Sequence, residues 1–257
     1  MALYMQKSST VTANLPVSEA ERAARLQLAG CYRVFAQIGW AETIFNHITL
    51  RVPGPDRVFL INPFGLHYRE VTASNLVAVD IDGNPVRTTQ YPINRAGFVI
   101  HSAIHASVDD AHCVMHTHTT TGMAVSCLKD GLSHNTFNGA QLQGRVAYHE
   151  FEGVTVRADE QKRMLAAIGD KRAVILRNHG LLTIGRTLPE AFATMYTLQR
   201  ACDVQIAASA AGAMNPISAA AIEQSVSEFL GNEPRACELL FDAMVRLVGA
   251  KDSDFRN

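Results

Sequence analysis

The sequence of 257 residues lacks three features that would point to particular partners: a long apolar run, an excess of one charge and a basic cluster. It carries 23 Lys and Arg against 24 Asp and Glu, so its formal net charge is −1 and nothing in it favours nucleic acid. No run of 18 apolar residues is present, as a membrane-spanning helix would require. We therefore expect neither nucleic acid nor a membrane as a partner.

Cysteine is scarce, and its spacing excludes two kinds of site. The five cysteines are an odd number, are widely scattered and form no C-x-x-C pair. A disulfide framework and a thiolate zinc site are both unexpected for this pattern, and a reducing cytoplasm fits it best. The cysteines are Cys31, Cys113, Cys127, Cys202 and Cys237.

The composition is that of a globular chain, with 47% hydrophobic and 18% charged residues. Its length suits one large α/β domain with an appendage, or at most two small domains. We expect a flexible tail over residues 1–17, which hold no apolar run of signal-peptide length, a main domain over residues 18–212 and a helical extension over residues 213–257.

The hydrophobic pattern alternates between strand and helix periods along the chain. Ser18 and Glu21 form an S-x-x-E capping box that predicts the start of a long helix. Three short β-rich runs between residues 43 and 86 then predict an antiparallel meander. Later segments predict helices and short strands in turn, with strands over residues 145–151 and 154–158 and a polar loop over residues 133–144. The expected fold class is α/β, with a mixed sheet covered by helices.

Three histidines fall where metal ligands are expected. His116 and His118 form an H-x-H pair at the end of a buried strand, and His179 follows another buried run at a turn. Residues i and i+2 of an extended segment project to the same face, so two imidazoles can reach one point. Neutral imidazoles suit Zn, Fe, Mn or Co, although an H-x-H pair alone also occurs as ordinary hydrogen-bonded histidines.

Several motifs in a fixed order resemble the class II aldolase/adducin family. They are Gly39-Trp40 after the first helix, a strand with Asn46, INPFGL, AGFVIHSAIH, VMHTH and LRNHGL. The resemblance extends from about residue 20 to residue 210. It implies a three-layer α/β/α fold with a largely antiparallel sheet, a divalent metal held by His116, His118 and His179, and a cyclic homotetramer with sites near subunit interfaces. Zn is the expected ion, with Mn and Fe as alternatives.

The sequence departs from the aldolase pattern at the position of the catalytic acid. Aldolases of the family carry a glutamate about 19 residues before the first metal histidine, and counting back from His116 reaches Gly97. Phe64 likewise stands where the aldolases have a phosphate-binding threonine. A sugar phosphate is therefore not the expected substrate. The N-x-A-G-F form resembles the adducin-like branch, whose animal members are cytoskeletal proteins.

Other residues are candidates for contact with substrate, each beside a structural alternative. Arg95 suits a carboxylate but also fits a surface turn, and Asn46 suits either substrate or its own backbone. His149 falls near a slot that carries a catalytic tyrosine or acid in some relatives. Further candidates are Gly65 in the INPFGL motif, His134 and Gln141 in the polar loop, and His101 and His105 on one helical face, where hydrogen-bonded packing is the other interpretation.

The expected function is a divalent-metal-dependent carbon–carbon lyase acting on a small carboxylated or keto substrate. Loss of CO₂ needs no built-in carboxylate, so decarboxylation suits Gly97 better than an aldol cleavage, unless His149 or metal hydroxide supplies the base. Two alternatives stay open. One is an iron-dependent oxygenase that uses the same three histidines, and the other is a non-catalytic adducin-like interaction module.

Overall fold

The computed structural model describes residues 17–54, 57–153 and 158–257, which form a mixed sheet between helices. The helices are α1 (Glu19–Gln37), α2 (Arg95–Ser107), α3 (Thr120–Ser126), α4 (Phe137–Gln141), α5 (Ala158–Ile168), α6 (Leu188–Ala211), α7 (Ala219–Ser227) and α8 (Pro234–Gly249). The strands are β1 (His47–Arg51), β2 (Phe59–Ile61), β3 (Val77–Val79), β4 (Cys113–Thr117), β5 (Val146–His149), β6 (Ala173–Leu176) and β7 (Gly180–Gly185). The expected tail over residues 1–17 and the expected strand over residues 154–158 lie outside the described residues, except for the last residue of each.

The seven strands form one sheet in the order β3-β2-β1-β4-β7-β6-β5. Only β5 and β6 are parallel, and the other neighbours are antiparallel. The predicted meander corresponds to β1, β2 and β3. The predicted α/β class and largely antiparallel sheet are confirmed, and β4 lies in the middle of the sheet.

Helices cover both faces because successive residues of the buried strands point to opposite sides. On one face, Met115 of β4 packs in the core that holds the aromatic residues of α1, α6 and α8. On the other face, Val114 packs with Ile104 of α2 and Met164 of α5. Consecutive residues of one central strand therefore contribute to two separate cores.

The start of α1 follows the predicted capping pattern only in part. Ser18 accepts a hydrogen bond from the Glu21 backbone at 3.1 Å, as a helix cap should. The Glu21 carboxylate does not return to the cap, because it pairs with Arg25 at 2.8 Å and with Arg87 at 2.6 Å. A buried carboxylate requires such partners, and this requirement outweighs the second half of the capping box.

The C-terminal helices α7 and α8 pack against helices of the main domain. Helix α8 packs against α1 and α6, and its Phe241 is buried in the core beside Phe192. The segment expected as a polar loop contains the short helix α4, which Thr136 caps by accepting from the Gly139 backbone. None of the described helices is both long and apolar enough to span a membrane.

Candidate metal centre

Three predicted ligands meet where β4 and β7 lie side by side. His116 lies on β4, His118 follows its end, and His179 occupies the turn between β6 and β7. Antiparallel pairing of β4 with β7 sets His116 opposite Leu182, beside that turn. One ring nitrogen of each histidine lies within 4.8 Å of the others. The sequence prediction that these three side chains converge is thus met by the geometry.

The turn that carries His179 explains the Asn-His-Gly sequence. Asn178 adopts a φ of +57°, a left-handed conformation that asparagine tolerates better than most residues. A Cβ at Gly180 would overlap the Thr117 carbonyl and lie 3.2 Å from the His118 ring. Only glycine lets the turn approach β4 this closely, and the close approach brings His179 to the other two histidines.

The ring of His116 is oriented by the neighbouring strand. Its Nδ1 lies 2.8 Å from the Leu181 carbonyl, which can only accept, so Nδ1 carries the proton. The lone pair therefore resides on Nε2, which lies 2.7 Å from Nε2 of His118. A backbone partner that fixes the tautomer of a ligating histidine is a recurring feature of metal sites. This donor set fits a divalent cation.

Burial keeps the three imidazoles neutral and ready to coordinate. It lowers the pKa of His179 to about 4, with His118 as the next cause, and lowers the pKa of His116 further below its ordinary range. It also lowers the pKa of His118. Because metal binding requires unprotonated nitrogen, three neutral rings at one point are suited to hold an ion at pH 7.

A fourth histidine, which the sequence analysis did not single out, lies beside this cluster. His47 of β1 is paired in register with His116 of β4, so both side chains project from the same face of the sheet. Their ring centroids are 5.5 Å apart. His47 is buried, and neither of its ring nitrogens has a hydrogen-bond partner among the described residues.

Gly97, the position at which the family resemblance implied a catalytic acid, lies directly over the His47 ring. A Cβ at this position would come within 2.6 Å of both ring nitrogens of His47, closer than real Cβ contacts occur. Because Gly97 has no side chain, α2 leaves room for the His47 ring at this point.

We predict that Gly97→Ala destabilises the protein by about 1–3 kcal/mol, because the buried His47 ring must move to admit the methyl group. Urea unfolding of the metal-free protein measures this change. Gly30→Ala in α1 is the matched control, since its added Cβ meets only ordinary contacts at 3.4 Å or more. Removing the ring with His47→Ala should restore tolerance of Gly97→Ala, and equal penalties with and without the ring would contradict the prediction.

The predicted substrate-binding residues differ in their burial and surroundings. Asn46 is buried, and its amide donates to the Trp40 carbonyl at 3.1 Å. Asn46 directly precedes β1, and its Oδ1 has no hydrogen-bond partner among the described residues. Arg95 is exposed at the first turn of α2, two residues before Gly97. Gly65 is an exposed turn residue with a φ of +100°.

The predicted catalytic residue, His149, lines a small cavity together with His179. It is buried at the end of β5, with Nε2 3.6 Å from a Glu160 oxygen. His149, Glu160 and His179 line the same cavity of about 10 Å³, which has room for about one water molecule. The catalytic role of His149 stays a prediction.

The remaining polar candidates are held by local hydrogen bonds. His134 is half-buried before α4, where its Nδ1 lies 2.9 Å from the Gly139 carbonyl. Gln141 donates to the Phe137 carbonyl at 3.4 Å. His101 and His105 both contact Thr49, at 2.8 and 2.7 Å, in agreement with hydrogen-bonded packing rather than substrate contact.

Residues 26–206 match the family model described as the Class II Aldolase and Adducin N-terminal domain. The chain belongs to the class II aldolase and adducin family. It is 47% identical over 203 residues to a Caulobacter vibrioides protein provisionally named an aldolase class 2 protein, with 79% of each chain covered. It is 42% identical over 207 residues to alpha-adducin of Rattus norvegicus, which covers 79% of this chain but 28% of that protein.

Solved structures of the family show the same fold. An aldolase II superfamily protein from Pseudomonas syringae has a TM-score of 0.90 and 43% identity, with 94% of this chain and 98% of that chain covered. An L-fuculose 1-phosphate aldolase from Glaciozyma antarctica has a TM-score of 0.83 and 31% identity, with 98% and 97% covered. The family resemblance predicted from the sequence motifs is confirmed.

Proposed function

We propose that the protein is a divalent-metal-dependent carbon–carbon lyase that acts on a small carboxylated or keto substrate. The observation that carries the proposal is the convergence of three imidazoles, with their nitrogens within 4.8 Å. His116, His118 and His179 would hold the ion, and three protein ligands leave positions open for a substrate. A divalent ion bound there supplies Lewis acidity, which stabilises negative charge on a substrate oxygen.

The side chains around the cluster favour decarboxylation among lyase reactions. Gly97 contributes no carboxylate. The space that a side chain at this position would need is occupied by the ring of His47, which burial keeps neutral. His118 and His179 are partly exposed, so a substrate can approach from their side, whereas His116 is closed off by β7. His149, beside Glu160, would orient His179 rather than transfer a proton to substrate.

Metal analysis followed by a substrate screen tests this proposal. Protein purified without chelator should contain Zn or Mn near one ion per subunit, and a screen of keto acids and aromatic carboxylates should give metal-dependent CO₂ release or carbonyl formation. Iron together with O₂ uptake would instead support the oxygenase. A chain that binds no metal would support a non-catalytic module, an alternative that the similarity to alpha-adducin also favours. The homotetramer and the cytoplasmic location stay predictions.

Arg95 is the proposed residue for a substrate carboxylate. Arg95 is exposed in the first turn of α2, which also contains Gly97. A charge-assisted hydrogen bond contributes about 1.5–3 kcal/mol, so Arg95→Met should lower kcat/KM for the first substrate identified by roughly 10- to 150-fold. Metal content should not change, and Arg246→Met on the exposed side of α8 is the control. Equal kcat/KM for the parent and Arg95→Met would return Arg95 to a surface role.

A further inference from the structure

A line of buried hydrogen bonds runs behind the three-histidine cluster. His105 Nδ1 lies 2.6 Å from the Ala111 carbonyl, and His105 Nε2 lies 2.7 Å from the Thr49 hydroxyl. The same hydroxyl lies 2.8 Å from Nδ1 of His101. Thr49, His101 and His105 are all buried, so these contacts are shielded from bulk solvent. The line begins at a carbonyl and ends beside His47.

The carbonyl at its beginning fixes the position of every proton along the line. Since the Ala111 carbonyl only accepts, His105 carries its proton on Nδ1, and burial keeps the ring neutral by lowering its pKa to about 4. Its Nε2 must accept, so the Thr49 hydroxyl donates its single proton there. Nδ1 of His101 must then donate to Thr49, which leaves Nε2 of His101 with a lone pair and no partner.

Among the described residues, three hydrogen-bond acceptors lie around the His47 ring: Nε2 of His101 and the carbonyls of Phe45 and Gly97. Its ring centroid lies 4.2 Å from that of His101, whose unpartnered lone pair is on Nε2. The Phe45 and Gly97 carbonyls also face the His47 ring, without reaching hydrogen-bond geometry. A neutral His47 has one N–H, which these acceptors attract. Its other nitrogen keeps a lone pair for which the described residues offer no donor.

We infer that His47 presents this lone pair to the ligand that binds over the three-histidine cluster, where it accepts a hydrogen bond from a ligand hydroxyl. The inference rests on the proposed function, because the cluster must be the ligand site. The inference narrows the proposed substrate class to carboxylates and keto acids that carry a hydroxyl group. His47 is not a fourth member of the cluster, because its nitrogens lie outside the group of ring nitrogens within 4.8 Å of one another.

The first experiment tests the proton positions without metal or substrate. Long-range ¹H–¹⁵N NMR of histidine-labelled, metal-free protein should show His105 and His101 as single Nδ1–H tautomers. In Thr49→Val, which removes the hydroxyl, His101 should lose this fixed tautomer while His105, still bonded to Ala111, keeps it. An Nε2–H tautomer of His101 in the parent would overturn the inference.

The second experiment measures the hydroxyl preference with Co²⁺-loaded protein, titrated with glycolate and with acetate and followed by the visible spectrum of Co²⁺. His47→Phe keeps a ring but removes the acceptor, so glycolate affinity should fall about 2- to 12-fold while acetate affinity stays within twofold. His47→Gln, which retains an acceptor, should restore part of the preference. An unchanged ratio of glycolate to acetate affinity in His47→Phe would overturn the inference and leave the proposed function standing. Failure of the parent to bind Co²⁺ would overturn both.

Discussion

Alanine at His116, His118 or His179 is expected to remove most of the bound divalent metal while the fold remains. Each variant keeps two of three imidazoles. Losing a residue that merely orients a metal ligand weakens binding by about 10- to 100-fold, so losing a ligand should weaken it at least as much. Elemental analysis after equilibration with one equivalent of Zn²⁺ measures the metal content per subunit, and circular dichroism reports the fold.

An exposed histidine provides the matched control for these three variants. His112 precedes β4, lies at the surface and is four residues from His116. His112→Ala should therefore bind as much metal as the parent. If all three cluster variants also keep the metal content of the parent, the site lies elsewhere and the proposed function loses its main support.

Acid is expected to destabilise the metal-free protein steeply between pH 6.5 and pH 4. Burial lowers the pKa of His47 and of His105 to about 4, against an ordinary value near 6.5 for the unfolded chain. In this window the unfolded state binds protons that the folded state does not, so stability falls as pH falls and is fully present above pH 6.5. Each such histidine contributes a slope of up to about 1.4 kcal/mol per pH unit.

Urea unfolding at half-unit steps of pH, with chelator present, measures this slope. His105 is the residue to replace because it lies away from the cluster, between Thr49 and the Ala111 carbonyl. His105→Gln should be less stable than the parent at pH 7 but should have a slope smaller by about 1 kcal/mol per pH unit. A slope for His105→Gln equal to that of the parent would show that His105 titrates normally in the folded protein.

The fold and the three-histidine cluster were predictable from the sequence because their signals are local. The H-x-H spacing places two imidazoles on one face of a strand, whatever else that strand contacts. The Asn-His-Gly turn between two buried runs supplied the third, and the order of motifs gave the family. These features depend on neighbours within a few residues, which a sequence displays directly.

His47 was not predictable in the same way, because its role depends on pairing between distant strands. The sequence analysis singled out Asn46, one position away, and a shift of one residue along a strand exchanges the two faces. Only the register of β1 against β4 shows that His47 shares a face with His116. Likewise, the glycine at position 97 has a physical reason only once α2 is seen to lie over the His47 ring.

The hydrogen bond from His116 to the Leu181 carbonyl connects residues 65 positions apart, and it has a consequence for the order of folding. The hairpin of β6 and β7 can form early with His179 alone, whereas docking of β4 must await the closure of a long loop. A complete set of ligands thus exists only after the central strands have assembled. A divalent cation should leave the folding rate nearly unchanged and slow unfolding. Its binding would therefore lengthen the lifetime of the folded state without helping that state to form.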